Sequence, residues 1–229
     1  MRRGVVVRKV RRTKKRLREP VNGLTHLAGS LLAFVGLIVL VDTATGTGRL
    51  DHLVALGIFG LSLVALYLAS ALYHLLPLSS LGVARLRKLD HVAIFVLIAG
   101  TYTPFCLLAL DSGWGRGLLA LVWCLALCGI ALKILWMGAP RWLSVALYLG
   151  MGWAAVIAAP ALVRAVPPEG MLWVLAGGLV YSAGALVYGL KRPNPVPGVF
   201  GFHELWHLFV LVGSACHFWA VLRYVAPIA

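Results

Sequence analysis

The chain has 229 residues, of which 61% are hydrophobic and only 12% charged, and its mean hydropathy is +0.92. A water-soluble globular domain carries about 25% charged residues, so this composition excludes one. The net charge of +14 is also lopsided, because ten of the 21 lysines and arginines fall within the first 18 positions. Such a tail set against an apolar segment suits anionic lipid headgroups and argues against nucleic acid as a partner.

Taken in chain order, residues 1–22 read as a basic cytoplasmic tail and residues 23–229 as one membrane domain. Seven stretches are long enough to cross a hydrocarbon layer of roughly 30 Å, which takes about 20 helical residues. The first, 23–41, follows basic residues as a signal peptide would. Its 19 residues exceed the 7–15 of a typical signal core, and six more apolar segments follow, so it reads as a membrane helix. The others are predicted at 53–76, 89–110, 117–137, 143–163, 171–190 and 202–225. Breakers separate them at 42–48, 77–82, 111–115, 138–140, 167–170 and 193–198. The short alternating segments of a membrane β-barrel are missing. The expected fold is therefore all-α, a polytopic seven-helix bundle.

Basic residues fix an expected orientation. The tail and the alternate loops on its side hold 17 lysines and arginines, against Arg49, Arg116, Arg164 and Arg223 on the other. The tail side then faces the cytoplasm, and the C-terminus lies outside. Glycines within the helices, among them Gly57, Gly60, Gly150, Gly152, Gly177, Gly178 and Gly184, are expected to permit close helix packing.

Titratable groups inside membrane helices are expensive and need a reason to be there. His74 lies near the inner end of the second span, Asp90 opens the third, and His203 and His207 occupy the first two turns of the seventh. Alternating topology brings all four to similar depth on one side. His203 and His207 are four residues apart, so both imidazoles project from one helix face, and His74 supplies a third nitrogen. Three protein ligands with an open fourth position is the usual catalytic zinc arrangement, although copper, iron and nickel also accept imidazole. Ser70 stands one turn from His74, about 6 Å deeper by helix rise. Asp90 is at a depth to orient an activated water or take its proton.

Plainer readings stand beside this one. A membrane histidine often bonds a neighbouring helix, and Asp90 next to Arg87 and Lys88 suits an interfacial ion pair. His26 and His91 read as hydrogen-bonding or interfacial groups held in reserve. His217, about 21 Å along the helix from His203, is too deep for the same ion and should bond another helix. His52 reads as an outer-interface residue, and Trp114, Trp136 and Trp142 as belt anchors at span ends. Cys106, Cys124, Cys128 and Cys216 form no CxxC pair; Cys124 and Cys128 are one turn apart but read as small packing residues.

Several ordered segments carry a family likeness. Glu19-Pro-Val-Asn22-Gly-Leu-Thr25-His26, Ser70-Ala-Leu-Tyr73-His74, Leu89-Asp90-His91 with Gly100-Thr101-Tyr102-Thr103-Pro104-Phe105, and His203-Glu204-Leu205-Trp206-His207 with His217-Phe218 together resemble the hemolysin III family. That family is the bacterial branch of the progestin and adipoQ receptor superfamily. The likeness runs from Glu19 to about Trp219. It implies seven helices with the N-terminus inside, and zinc held at His74, His203 and His207 with Ser70 and Asp90 close by. For its eukaryotic relatives ceramidase-like hydrolysis has been proposed.

The leading functional expectation is a zinc-dependent hydrolase of lipid amides or esters, with Asp90 as base or orienter and Ser70 supporting the oxyanion. A non-enzymatic sensor of membrane state with structural zinc is the alternative. Cytolysis, suggested by the family name, finds no polar helix face or ring of charges here. A retinal protein is excluded, because the seventh span lacks a lysine.

Overall fold

The computed structural model describes residues 17–110 and 113–228. The basic tail up to residue 16, with its expected headgroup contacts, and Asp111 in the third breaker lie outside the described residues. Among the described residues seven helices are long and apolar enough to cross a membrane: α1 Pro20–Thr47, α2 Leu50–Leu75, α3 Ser80–Ala109, α4 Gly113–Leu135, α5 Arg141–Ala165, α6 Pro168–Leu190 and α7 Phe202–Val225. Among the described residues the only β pairing is an isolated bridge between Val196 and Phe200.

The helices are inverted relative to those of a soluble protein. On α1 the buried positions include Gly29, Ser30, Ala33 and Gly36, whereas Leu31, Leu32, Phe34, Val35 and Ile38 face outward. Small residues face the bundle because lipid solvates large apolar side chains as well as a core does, so association depends on close backbone approach. Gly60 fits this rule, since a Cβ there would stand 2.6 Å from Leu37 Cδ1, and Gly177 and Gly184 also meet neighbours. Gly57, Gly150, Gly152 and Gly178 do not; each faces open space, so the packing expected of them is absent.

Hydrogen bonds between helix ends establish the alternation. The Glu19 N–H at the start of α1 donates to the carbonyl of His74 at the end of α2. Lys88 on α3 donates to Ile134 at the end of α4, and Arg141 at the start of α5 to Tyr188 near the end of α6. Asn22 on α1 bonds Glu204 on α7. These contacts define one end of the bundle, here called the basic end.

Two boundaries differ from expectation. α1 runs on to Thr47, because Thr43, Thr45 and Thr47 return their hydroxyls to helix carbonyls and the helix stops only at Gly48, φ 67°. α3 begins at Ser80, nine residues before the predicted start, with Ser79 accepting from the Gly82 N–H as its cap. Arg85, Arg87 and Lys88 are therefore helical, and Asp90 stands well inside α3 instead of opening it.

Irregular turns interrupt two of these helices near one another. α3 ends in a wide π turn, Phe105–Ala109, after Pro104, and α5 tightens to a 3₁₀ segment at Ala154–Ala158. In hydrocarbon the backbone groups released there need protein partners. Tyr102 of α3 meets that need: its hydroxyl lies 2.8 Å from the Met151 carbonyl and 2.6 Å from that of Gly152, and it accepts from the Ala155 N–H at 2.9 Å.

His52, in the first turn of α2, is buried against the bundle instead of facing outward, with its Nε2 3.1 Å from the Ile228 carbonyl. His217 hydrogen-bonds Gly213 of its own helix and meets α6 by stacking on Tyr181 and packing over Gly177. Trp114, Trp136 and Trp142 are exposed at helix ends. Cys106 and Cys216 are buried, whereas Cys124 and Cys128 face outward from α4 and pack no core. Tyr102→Phe should lower stability by about 1–3 kcal/mol, because freed backbone groups stay buried; thermal unfolding in detergent checks this, with Tyr224→Phe as the comparison.

Candidate metal centre and its cavity

His74 in the last turn of α2 and His207 in the second turn of α7 are almost fully buried, at 1% and 3% exposure. His203 stands one turn before His207. The three ring centroids are 4.8–5.2 Å apart, and each ring offers a nitrogen within 4.8 Å of the others. This is the triad expected from the sequence.

The start of α1 sets the ring orientations. Glu19 Oε2 lies 2.5 Å from His74 Nδ1. A carboxylate can only accept, so Nδ1 carries the proton and Nε2 keeps its lone pair. The hydrogen bond from His74 holds the Glu19 carboxyl below its ordinary pKa, overcoming the opposing effect of half-burial. Arg18 braces this corner by donating to the Tyr73 carbonyl and to Glu19. His207 Nδ1 lies 3.3 Å from the Asn22 carbonyl, which likewise makes it a donor and leaves Nε2 free. The Asn22 side chain donates to Glu204 Oε1 at 2.8 Å, while Glu204 Oε2 accepts from the Gly201 N–H that starts α7. Glu19, Asn22 and Glu204 are therefore positioning residues that the spacing argument passed over. The available signal was scarcity: the chain has seven Asp and Glu side chains, and three of them, Glu19, Asp90 and Glu204, are at this site.

The donor set fits a borderline transition metal. Buried His74 Nε2 and His203 Nε2 have no hydrogen-bond partner. Neutral imidazoles aimed at one point suit zinc, with copper, iron and nickel as chemically similar alternatives.

Ser70 and Asp90 both line the cavity that opens from this cluster. The Ser70 hydroxyl is buried without a hydrogen bond of good geometry, and it stands beside the Asp90 carboxylate. Asp90 also lies within electrostatic reach of His74 and forms no ion pair with Arg87 or Lys88, so the plain interfacial reading fails. His26 is buried and stacks on His207 at 3.7 Å with both ring nitrogens unbonded. It makes no hydrogen bond through its ring and packs as the floor of the cluster. His91 lines the cavity from α3, its Nδ1 also without a partner.

The cavity measures about 480 Å³ and is walled mainly by apolar side chains of α3, α5, α6 and α7. Gly152 and Gly178, which pack against nothing, form part of its wall. Such a volume accommodates a small apolar ligand or part of a lipid chain.

A family model described as Haemolysin-III related matches residues 14–218. Hemolysin-3 of Bacillus cereus is 40% identical over 215 residues, covering 92% of this chain and 93% of that protein. The Hemolysin-3 homolog of Bacillus subtilis (strain 168) is 40% identical over 210 residues, covering 92% and 95%. The ADIPOR-like receptor IZH2 of Saccharomyces cerevisiae is 27% identical over 244 residues, covering 90% and 71%. All three alignments span most of the bundle.

Glu19→Gln should weaken divalent-ion binding about 10- to 100-fold, because the ring at residue 74 loses its charged partner. Titration calorimetry in detergent measures this, with His217→Ala expected to bind like the wild type.

Proposed function

The chain belongs to the haemolysin-III related family, within the progestin and adipoQ receptor superfamily, and from that premise we propose that it is a zinc-binding hydrolase of lipid amides or esters in the bacterial plasma membrane. The observation that carries the reading is the convergence of unbonded imidazole nitrogens with Ser70 and Asp90 at one end of an apolar cavity. His74, His203 and His207 are the ligands. Zinc bound there would supply a Lewis acid that polarises a carbonyl and acidifies water.

The remaining roles fall to the chain's own groups. Glu19 and Asn22 hold two imidazoles in the tautomer that presents Nε2. The apolar wall excludes bulk water and takes the acyl chain. In the reaction water oxygen bonds to the carbonyl carbon and the C–N or C–O bond breaks. Asp90 accepts the water proton at its carboxylate and returns it to the departing amine or alcohol. Ser70, whose hydroxyl is uncommitted, donates to the oxygen on which charge develops.

Wild-type protein purified without a metal-chelating tag is expected to hold about one zinc per chain, lost in His74→Ala, His203→Ala and His207→Ala. Asp90→Asn should keep the metal and lose hydrolysis of a lipid amide by about 10²- to 10⁴-fold, since an amide cannot accept the proton. Metal analysis and a turnover assay on the same preparation read both, and full zinc with undiminished turnover in Asp90→Asn refutes the assignment of Asp90. Undiminished zinc in the histidine variants refutes the centre itself.

The basic end is proposed to face the cytoplasm, supported by the 17 to 4 division of lysines and arginines. Reporter fusions should place the N-terminus inside and the C-terminus outside; both ends on one side would exclude this topology.

A further inference from the structure

The cavity has two chemically different ends. Along α3 its wall is formed at successive turns by Arg87, His91, Ile94, Ile98, Thr101 and Phe105. The charged and titratable residues thus stand at one end, and beyond them the α3 wall is mainly apolar, with Thr101 and Tyr102 among it. α5 repeats the pattern from Arg141 and Ser144 to Gly152 and Val156. Behind this mouth lies Lys133 of α4, only 3% exposed, whose ammonium donates to Ser144 Oγ at 2.5 Å.

Arg87 and Arg141 therefore stand on the cavity wall, and a third cation, Lys133, is buried directly behind it and joined to the wall through Ser144. Arg87 is within electrostatic reach of Lys133 and His91, and both arginines act on Tyr188, another wall residue. None of the three has a carboxylate within 4 Å among the described residues. Glu19 and Glu204 are committed to the histidine corner. Arg141 is held in place by the Tyr188 carbonyl at 3.2 Å and by the faces of Tyr188 and Phe202 at 4.7 and 5.4 Å. That arrangement occupies part of its fork and leaves further N–H donors for a ligand. Like charges held together beside hydrocarbon repel unless an anion stands among them.

We propose that Arg87, Lys133 and Arg141, with Ser144, form a phosphate subsite at the basic end of the cavity, and that the lipid bound there places its phosphate headgroup at this rim and its chain in the apolar part. Arginine forks recognise phosphate oxygens in pairs, and the adjoining apolar volume selects an amphiphile over a free anion. Arg87 lies one turn from Asp90, about 4.5 Å along the axis. The linkage between headgroup and chain then falls at the level of the histidines. The inference rests on the reading of this cavity as a lipid site, not on the metal or on turnover.

Binding to the purified full-length protein in neutral detergent tests it, with short-chain phosphatidic acid, diacylglycerol of the same chains, and inorganic phosphate as probes. Phosphatidic acid should bind saturably and at least about tenfold tighter than either other probe. Arg87→Gln and Lys133→Gln should each weaken it about tenfold or more, while Arg85→Gln, on an exposed residue outside the cavity wall, should not. Gly178→Leu, which fills open space in the wall, should weaken phosphatidic acid and leave inorganic phosphate unaffected. Equal losses in Arg85→Gln and Arg87→Gln would overturn the subsite in favour of general surface charge. Inorganic phosphate binding as tightly as the lipid would overturn the lipid assignment. If Lys133→Gln does not fold, Arg87→Gln alone decides, because that side chain is exposed at the rim. Metal-depleted His74→Ala protein should still bind phosphatidic acid, which separates failure of this inference from failure of the hydrolase reading.

Discussion

In hydrocarbon, a polar group without a partner costs several kcal/mol, because no water is present to replace it. Over most of the bundle this chain avoids that cost by local means. Tyr102 serves the loosened backbone of α5, His52 reaches the Ile228 carbonyl, and Ser214 joins Tyr67 to Tyr181 between three helices. At the basic end the accounting changes. Buried side-chain atoms of Asn22, His26, Ser70, His74, His91, Tyr148 and His203 lack partners, and every one belongs to the histidine cluster, the cavity wall or the corner beside them. Among the described residues the unpartnered buried groups are thus gathered in one place, which is the pattern that the proposed ligand site would account for.

Rigidity at that place comes from the entry to α1. Residues Arg18 to Asn22 bond the end of α2 through Glu19 and Tyr73, and the start of α7 through Glu204 and His207. The two helices that carry the three histidines are thereby fixed to a common third. A ligand set from distant parts of the chain needs such a clamp, because loosely held rings would each lose rotational freedom on binding an ion. α5, by contrast, is short of close neighbours, and its glycines Gly150 and Gly152 face open space. The contrast divides the bundle into a clamped wall bearing the chemistry and a looser wall bounding the cavity.

The α3 stripe connects these parts. Its extension back to Ser80 carries Arg87 and Asp90 on the same helix, one turn apart, with apolar residues beyond them. One helix therefore grades the cavity from cationic rim, through a carboxylate, to a chain-sized apolar interior. That gradient is what links the proposed chemistry to an amphiphilic substrate.

Much of this was legible in the sequence. Seven apolar stretches of sufficient length determined the helices, since hydrocarbon admits no other open structure at that length. Spacing within α7 and the alternation of spans brought His74, His203 and His207 to one depth. Length and hydropathy could not reveal that Thr43, Thr45 and Thr47 continue α1, or that Ser79 starts α3 ahead of its apolar part, because both depend on side-chain bonds to backbone. Nor could they find Glu19, Asn22 and Glu204 as ring-orienting groups, distinguish Gly60 from Gly57, or place His26 beneath His207 and His52 in the interior. Those facts require knowing which face of each helix meets which neighbour. The sequence by itself determined how far each residue lies along the membrane normal, through the fixed rise of a helix; only the tertiary structure decided each residue's azimuth about its helix, and with it which polar groups met partners and which were left open to a ligand.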